Sequence, residues 1–300
     1  MATTDAEEQR GLRLSIAVSA VFAVAAFALG IVIGSRVLIF DGVFVMIGIV
    51  LTWLALRAST IVSEGPTIRY PFGRDALTPL VVLIQGIAVL ATLLYAAADA
   101  IVIIKDGGRP IDPLFVVVYA AISTVVGFIV AVRLNRRSAN SDLLQAEAIG
   151  WHAGAVRSLV MAVGALLAMV LAALAFTAVL DYVDPVLVLI SCALVLPLPI
   201  RLLKFGVNEL LEGAPGPTIA SAIDEAVAAV RTRFGLGEPV LRSTKLGRKL
   251  YVEAHFVGAH DDWTVAEEDE VRRAFHDHLV PLGFDLWTTI EVTSDPGIAD

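Results

Sequence analysis

Six apolar runs, each close to or longer than the ~20 residues a helix needs to cross a bilayer, dominate the first two thirds of the chain. They fall at roughly Leu14–Gly34, Leu38–Leu56, Thr78–Ile104, Pro113–Val132, Leu143–Leu174 and Pro185–Leu203. In hydrocarbon every backbone polar group must be satisfied within the segment, so such runs can only be helices. The rest of the composition agrees. Hydrophobic residues make up 57% of the chain, above the roughly 45–50% of soluble domains, and the mean hydropathy is +0.80. From about residue 217 onward the composition is that of a soluble domain. The expectation is a six-helix all-α membrane domain over residues 1–205 and a cytoplasmic α+β domain over residues 206–300.

Basic residues set the expected orientation. With the N-terminus inside, the cytoplasmic segments carry Arg10, Arg13, Arg57, Arg69, Arg74, Arg133, Arg136, Arg137, Arg201 and Lys204, and the opposite side carries Arg36, Lys105 and Arg109. This asymmetry predicts a multi-pass protein with both termini cytoplasmic. Met1–Arg10 is acidic and the first run has full spanning length without a clear cleavage site, so no cleavable signal peptide is expected. A net charge of −8 argues against a nucleic-acid partner. A single cysteine, Cys192, excludes an internal disulfide and a cysteine-rich metal cluster.

Charges inside the runs are the functional candidates. A charge at the centre of a spanning helix costs about 2.5–3.5 kcal/mol on insertion scales. Asp41 stands near the start of FDGVFVMIGIVLTWLALRAS. It either caps a helix beginning at Gly42 or faces a bundle interior on an ion path. Asp99 lies about one turn before Lys105 and Asp106, which places it at an interface or on a water-accessible inner face. The fifth run opens DLLQAEAIGWHAGAVRSLV. Gly150 and Gly154 form a small-xxx-small pair, a pattern that normally allows close helix packing. His152 is either hydrogen-bonded structure or a ligand. Arg157 must pair or reach water, with Asp41 as its candidate counter-charge. Pro185 is expected in the first turn of the sixth helix, and Pro197 with Pro199 should kink its end.

The tail reads as helix, two strands, helix, strand: Pro217–Phe234, Val240–Leu246, Lys249–Val257, a helix from the capping box Thr264–Glu267 to Leu279, and Asp285–Thr293. Its sheet should have one open face.

In element order and motifs the chain resembles the cation diffusion facilitator (cation efflux) family of metal exporters. The likeness is carried by Tyr70–Gly73 (YPFG, against the family's YPYGHG), by Tyr182–Pro185 leading to Glu209–Pro215 (YVDP…ELLEGAP), and by Tyr251–Phe256 (YVEAHF, against YVDLHI). The resemblance implies a homodimer of six-helix subunits with ferredoxin-like tails in a lipid bilayer. It also implies export of a divalent metal cation, commonly coupled to proton entry; no nucleophile–base pair or phosphate-cradling glycine loop is visible, so neither an enzyme nor a resident cofactor is expected. The family's transport site pairs two ligands one turn apart on the second span with His-xxx-Asp on the fifth. Here those positions are Asp41 and Val45, then Gly150 and Gly154, so three of the four cannot coordinate; Arg74 stands where the loop has a ligand histidine. Two readings follow: a transporter whose altered site uses Asp41, His152, carbonyls and water, or a non-transporting member acting as a regulatory or dimerisation partner. In the tail the resemblance places metal ligands at His255, Asp269 and Glu291, against the alternative of a solvated acidic surface that also includes His260, Asp261, Asp262, His276 and His278.

Overall fold

A computed structural model describes residues 2–33, 36–108, 113–137, 141–174, 177–257 and 263–293. The chain divides into two compact units, residues 1–66 with 80–205, and residues 67–79 with 206–300.

The first unit is helical. Its elements are α1 (Ala2–Ile33), α2 (Arg36–Ser63), α3 (Leu77–Lys105), α4 (Pro113–Asn135), α5 (Asp142–Ala173), α6 (Thr177–Val195) and the start of α7 (Pro197–Leu210). Among the described residues, five helical stretches are long and apolar enough to cross a membrane. Large apolar side chains such as Val21, Val50, Leu94 and Val125 face outward, whereas Ala26, Ala55, Ala120, Ala131 and Ala155 are buried. Small residues inside and large apolar ones outside is the packing expected where lipid supplies no hydrophobic drive between helices. Gly127 shows why: a Cβ there would stand 3.0 Å from the Cβ of Ala155, so α4 and α5 meet closely at this point.

Pro185 does not open the sixth helix, as its first-turn preference predicts. It lies inside α6, which begins at Thr177; a spanning helix tolerates an internal proline when surrounding groups re-satisfy the freed backbone. The expected break at the other end occurs between α6 and α7, at Leu196, just before Pro197 and Pro199.

The second unit contains α8 (Pro217–Phe234), β1 (Val240–Leu246), β2 (Lys249–Val257), α9 (Val265–Leu279) and β3 (Asp285–Thr293), all where the sequence pattern put them. Pro217 occupies the first turn of α8 and Gly235, with φ +66°, closes it. Thr264 and Glu267 form the reciprocal capping box of α9. The sheet order is β1-β2-β3, with β1 antiparallel and β3 parallel to β2. Alternation along β2 buries Leu250, Val252, Ala254 and Phe256 against Ile223, Val230, Val271 and Phe275 of the two helices. Tyr251, Glu253 and His255 therefore lie on the opposite face.

That face is not wholly open. Residues 67–79 fold with this unit, and Phe72 packs its ring 5.6 Å from Trp287, which in turn lies 6.1 Å from Tyr251. Lys249, only 4% exposed, donates to the Phe72 carbonyl at 2.9 Å and pairs with Asp75 at 3.3 Å. Gly73 has φ +90°, and a Cβ there would come within 2.8 Å of the Asp75 carboxylate; the YPFG turn thus needs its glycine. Glu209, from the ELLEGAP motif, accepts from Lys245 at 2.5 Å and from the Gly247 amide at 3.0 Å, fixing the β1–β2 turn.

Candidate functional site: a cavity in the helical unit

A partly open cavity of about 270 Å³ lies between the helices of the helical unit. Val45, Gly48 and Thr52 of α2 line one side, and Glu147, Gly150, Gly154 and Arg157 of α5 line another. At Gly150 and Gly154 nothing lies within 4 Å of where a Cβ would sit. The pair therefore does not serve the close packing that its spacing suggests. It opens space instead.

The strongest polar feature of this cavity is Glu147, which is half-buried where α1, α2, α3 and α5 converge. One carboxylate oxygen accepts from the Ser15 hydroxyl at 2.5 Å and the Thr52 hydroxyl at 2.9 Å. The other faces the Gln85 amide nitrogen at 3.5 Å. The Trp151 indole donates to Ser15 at 2.6 Å, fixing the hydroxyl that donates to Glu147. Ser15, Thr52 and Gln85 are 0%, 2% and 5% exposed, so water does not compete for these bonds.

Seven residues away along both α1 and α2 lies a second polar cluster. Glu8, 3% exposed, accepts from Ser141 at 2.5 Å, and Ser141 also takes the Leu144 amide in the first turn of α5. The buried Ser59 hydroxyl of α2 faces the same carboxylate.

Of the membrane residues picked out by sequence, Asp41 falls within α2 and its side chain lies outside the described residues. His152 is exposed and packs edge-on to Phe128, with ring centroids 5.4 Å apart; it is not part of the cavity wall. Asp99 is exposed near the end of α3. Sequence reasoning passed over Glu147. The signal available was a periodic one: Glu8 and Ser15, and Thr52 and Ser59, are heptad-spaced polar residues within apolar helices, and such residues return to one helix face.

In the tail, strand register sets His255 beside Glu291. The His255 Nε2 is 3.1 Å from Glu253 and 3.9 Å from Glu291, while Nδ1 is buried without a hydrogen-bond partner among the described residues. Asp269 is held by Arg272 at 2.9 Å, and the same guanidinium reaches Glu268 and the Ile290 carbonyl. Among the described residues no group of three or more His, Cys, Asp or Glu side chains is placed to hold a metal ion. His260, Asp261 and Asp262 lie outside the described residues. His278 engages the Ala274 carbonyl at 2.6 Å.

A multi-span helical unit with a cavity between its helices, followed by a small mixed α/β unit, defines the class: a multi-pass membrane protein with a mixed α/β tail. The cation efflux transmembrane domain matches residues 12–211, and the chain belongs to the cation diffusion facilitator (cation efflux) family. It is similar to the zinc transporter ZitB of Escherichia coli (strain K12), 29% identical over 206 residues that cover 69% of this chain and 64% of that protein. The zinc transporter ZitB of Shigella flexneri gives the same figures. The similarity thus spans less than two thirds of those relatives' length.

Proposed function

We propose that the protein moves a divalent metal cation across a membrane, in the efflux direction and in exchange for protons, by a transport site that departs from the family's usual ligand set. The observation that carries this reading is the cavity beside α5: a membrane-embedded space with a carboxylate in its wall has a use in moving ions, and such residues mark ion pathways. The reading includes six spanning helices, cytoplasmic termini and a ferredoxin-like tail through which two subunits pair. Asp41 and His152 are the proposed metal-contacting residues on α2 and α5, His152 meeting an ion at the exposed face beside Phe128. In a metal-sensitive host strain, expression of the full chain is expected to lower cell-associated manganese or zinc. Unchanged metal content with the protein present in the membrane would count against the proposal.

A second reading, a non-transporting member that regulates or dimerises, is favoured by one feature. Val45, Gly150 and Gly154 occupy the family's ligand positions in the cavity wall and offer no side-chain donor. Arg157 in the same wall opposes a bound cation electrostatically.

The orientation has its own test. In a Cys192→Ser background, Ser221→Cys is expected to react with an impermeant maleimide only from the cytoplasmic side, and Asp106→Cys only from the outside. Labelling of Ser221→Cys from the outside would reverse the topology.

In the tail, His255, Asp269 and Glu291 are proposed to bind a divalent ion weakly at the subunit contact. One imidazole with two carboxylates suits a harder ion than zinc. Calorimetry of the full chain with millimolar manganese should show a component of the heat that His255→Ala removes and Glu147→Gln leaves; heat unchanged in His255→Ala would leave the tail a pairing role alone.

A further inference from the structure

We propose that Glu147, together with the side-chain oxygens of Ser15, Thr52 and Gln85, forms a cation-binding site in the helical unit, selective for a hard divalent ion of the magnesium or manganese class. The proposal deepens the transport reading by locating a step of it, and it stands on different residues from Asp41 and His152.

The first argument is charge. Ser15 and Thr52 donate hydroxyl hydrogens to Glu147, and the Gln85 amide nitrogen faces it. The side chains that meet it, Ser15, Thr52 and Gln85, are neutral. Arg157, ten residues further along α5, is separated from it by about 15 Å of helix rise. A carboxylate inside a membrane bundle holds a charge only where a cation or water meets it, and the cavity that Glu147 lines is large enough to admit an ion.

The second argument comes from Gln85. Its side chain is 95% buried by the 5% exposure that remains, and its amide oxygen has no hydrogen-bond partner among the described residues. Its nitrogen reaches Glu147 only at 3.5 Å, the weakest contact of the cluster. Leaving such an oxygen unpaired costs about 1–3 kcal/mol. Rotation of the amide would direct that oxygen to the side of the second Glu147 oxygen, where a cation would satisfy both. The Ser15 and Thr52 hydroxyl oxygens keep lone pairs for the same ion.

The third argument is the kind of donor. Carboxylate, amide and hydroxyl oxygens are hard ligands that suit magnesium or manganese, whereas zinc sites use imidazole and thiolate. The imidazole nearest in sequence, His152, packs on Phe128 instead. Cys192 directs its sulfur to the Leu93 carbonyl at 3.6 Å.

Trp151 supplies an internal reporter, because its indole N–H rests on Ser15, which rests on Glu147. In the purified full chain in detergent, manganese chloride and magnesium chloride are expected to change tryptophan fluorescence saturably, and Trp151→Phe to remove most of the change. Calorimetry should show manganese binding weakened at least about tenfold in Glu147→Gln, and several-fold in Gln85→Leu. Glu147→Asp should retain measurable binding. Size-exclusion profiles check folding; if Glu147→Gln does not fold, Glu147→Asp and Gln85→Leu decide the matter. Manganese affinity unchanged in these variants, or no binding of either ion at millimolar concentration, would overturn the site and leave the cluster a structural tie between α1, α2, α3 and α5. The two readings fail separately. Binding lost in Glu147→Gln with no ion flux in wild-type vesicles sinks transport and keeps the site. Flux that persists unchanged in Glu147→Gln keeps transport and sinks the site.

Discussion

Replacing Lys249 by methionine will lower the stability of the tail unit by about 3–5 kcal/mol, the usual cost of removing one partner of a buried ion pair. Lys249 is 4% exposed and Asp75 is 9% exposed, with 3.3 Å between their charged atoms. The same ammonium holds the Phe72 carbonyl at 2.9 Å, so the substitution also frees the 67–79 segment from β2. Methionine keeps most of the apolar stem, which isolates the electrostatic part. Urea unfolding followed by circular dichroism measures the loss. The double variant Asp75→Asn/Lys249→Met should recover part of it, because an uncompensated buried charge costs more than a missing pair. A single-variant loss below about 1 kcal/mol would mean that the pair behaves as a solvated surface contact.

The pH dependence of that loss has a definite sign. Burial pushes the Asp75 carboxyl above the ordinary aspartate range, and Lys249 opposes the shift. A carboxyl that binds its proton more tightly in the folded state contributes stability that is fully present below its unfolded value and is lost as pH rises through its raised folded value. Without Lys249 the upward shift grows. The deficit of Lys249→Met is therefore expected to be smallest on the acid side of the Asp75 titration and to grow as pH rises through it. A deficit that widens on acidification would contradict the assignment.

Phe275→Ala carries an expected loss of comparable size, about 3–5 kcal/mol. The ring is fully buried, as is that of Phe256, in the core that α8 and α9 form on one face of the sheet. A domain of this size holds roughly 5–15 kcal/mol in all, so one deletion removes a large share. Val265→Ala, at the exposed start of α9 where the side chain is 72% accessible, should stay within about 0.5 kcal/mol of wild type. Equal effects at the two positions would place Phe275 outside the core.

Sequence and structure agree best where the determinants are local. The alternation of Leu250, Val252, Ala254 and Phe256, the Thr264–Glu267 box and the Pro217 start of α8 each involve residues a few positions apart. Their outcome depends little on what packs from elsewhere. Pro185 shows the limit, since a proline permits a helix start without requiring one. The Phe72–Trp287 contact and the Lys249–Asp75 pair join residues far apart in sequence, so no spacing rule could reveal that the loop covers part of the sheet. The cavity is a similar case. Gly150 and Gly154 fit close packing and an open wall equally well, and only the placement of four helices decides between them. Attention to expensive single residues found Asp41 and Arg157 but passed over Glu147, whose partners come from three other helices.

The central claim is that this chain by itself carries a divalent cation through a membrane. Its most direct test is flux into proteoliposomes that contain only the full chain and enclose a metal-sensitive dye, with magnesium, manganese and zinc supplied outside in turn. The account predicts saturable entry of at least one of these ions above protein-free vesicles, increased by an opposing proton gradient. Entry indistinguishable from protein-free vesicles for all three ions, with the protein folded and inserted, would contradict it.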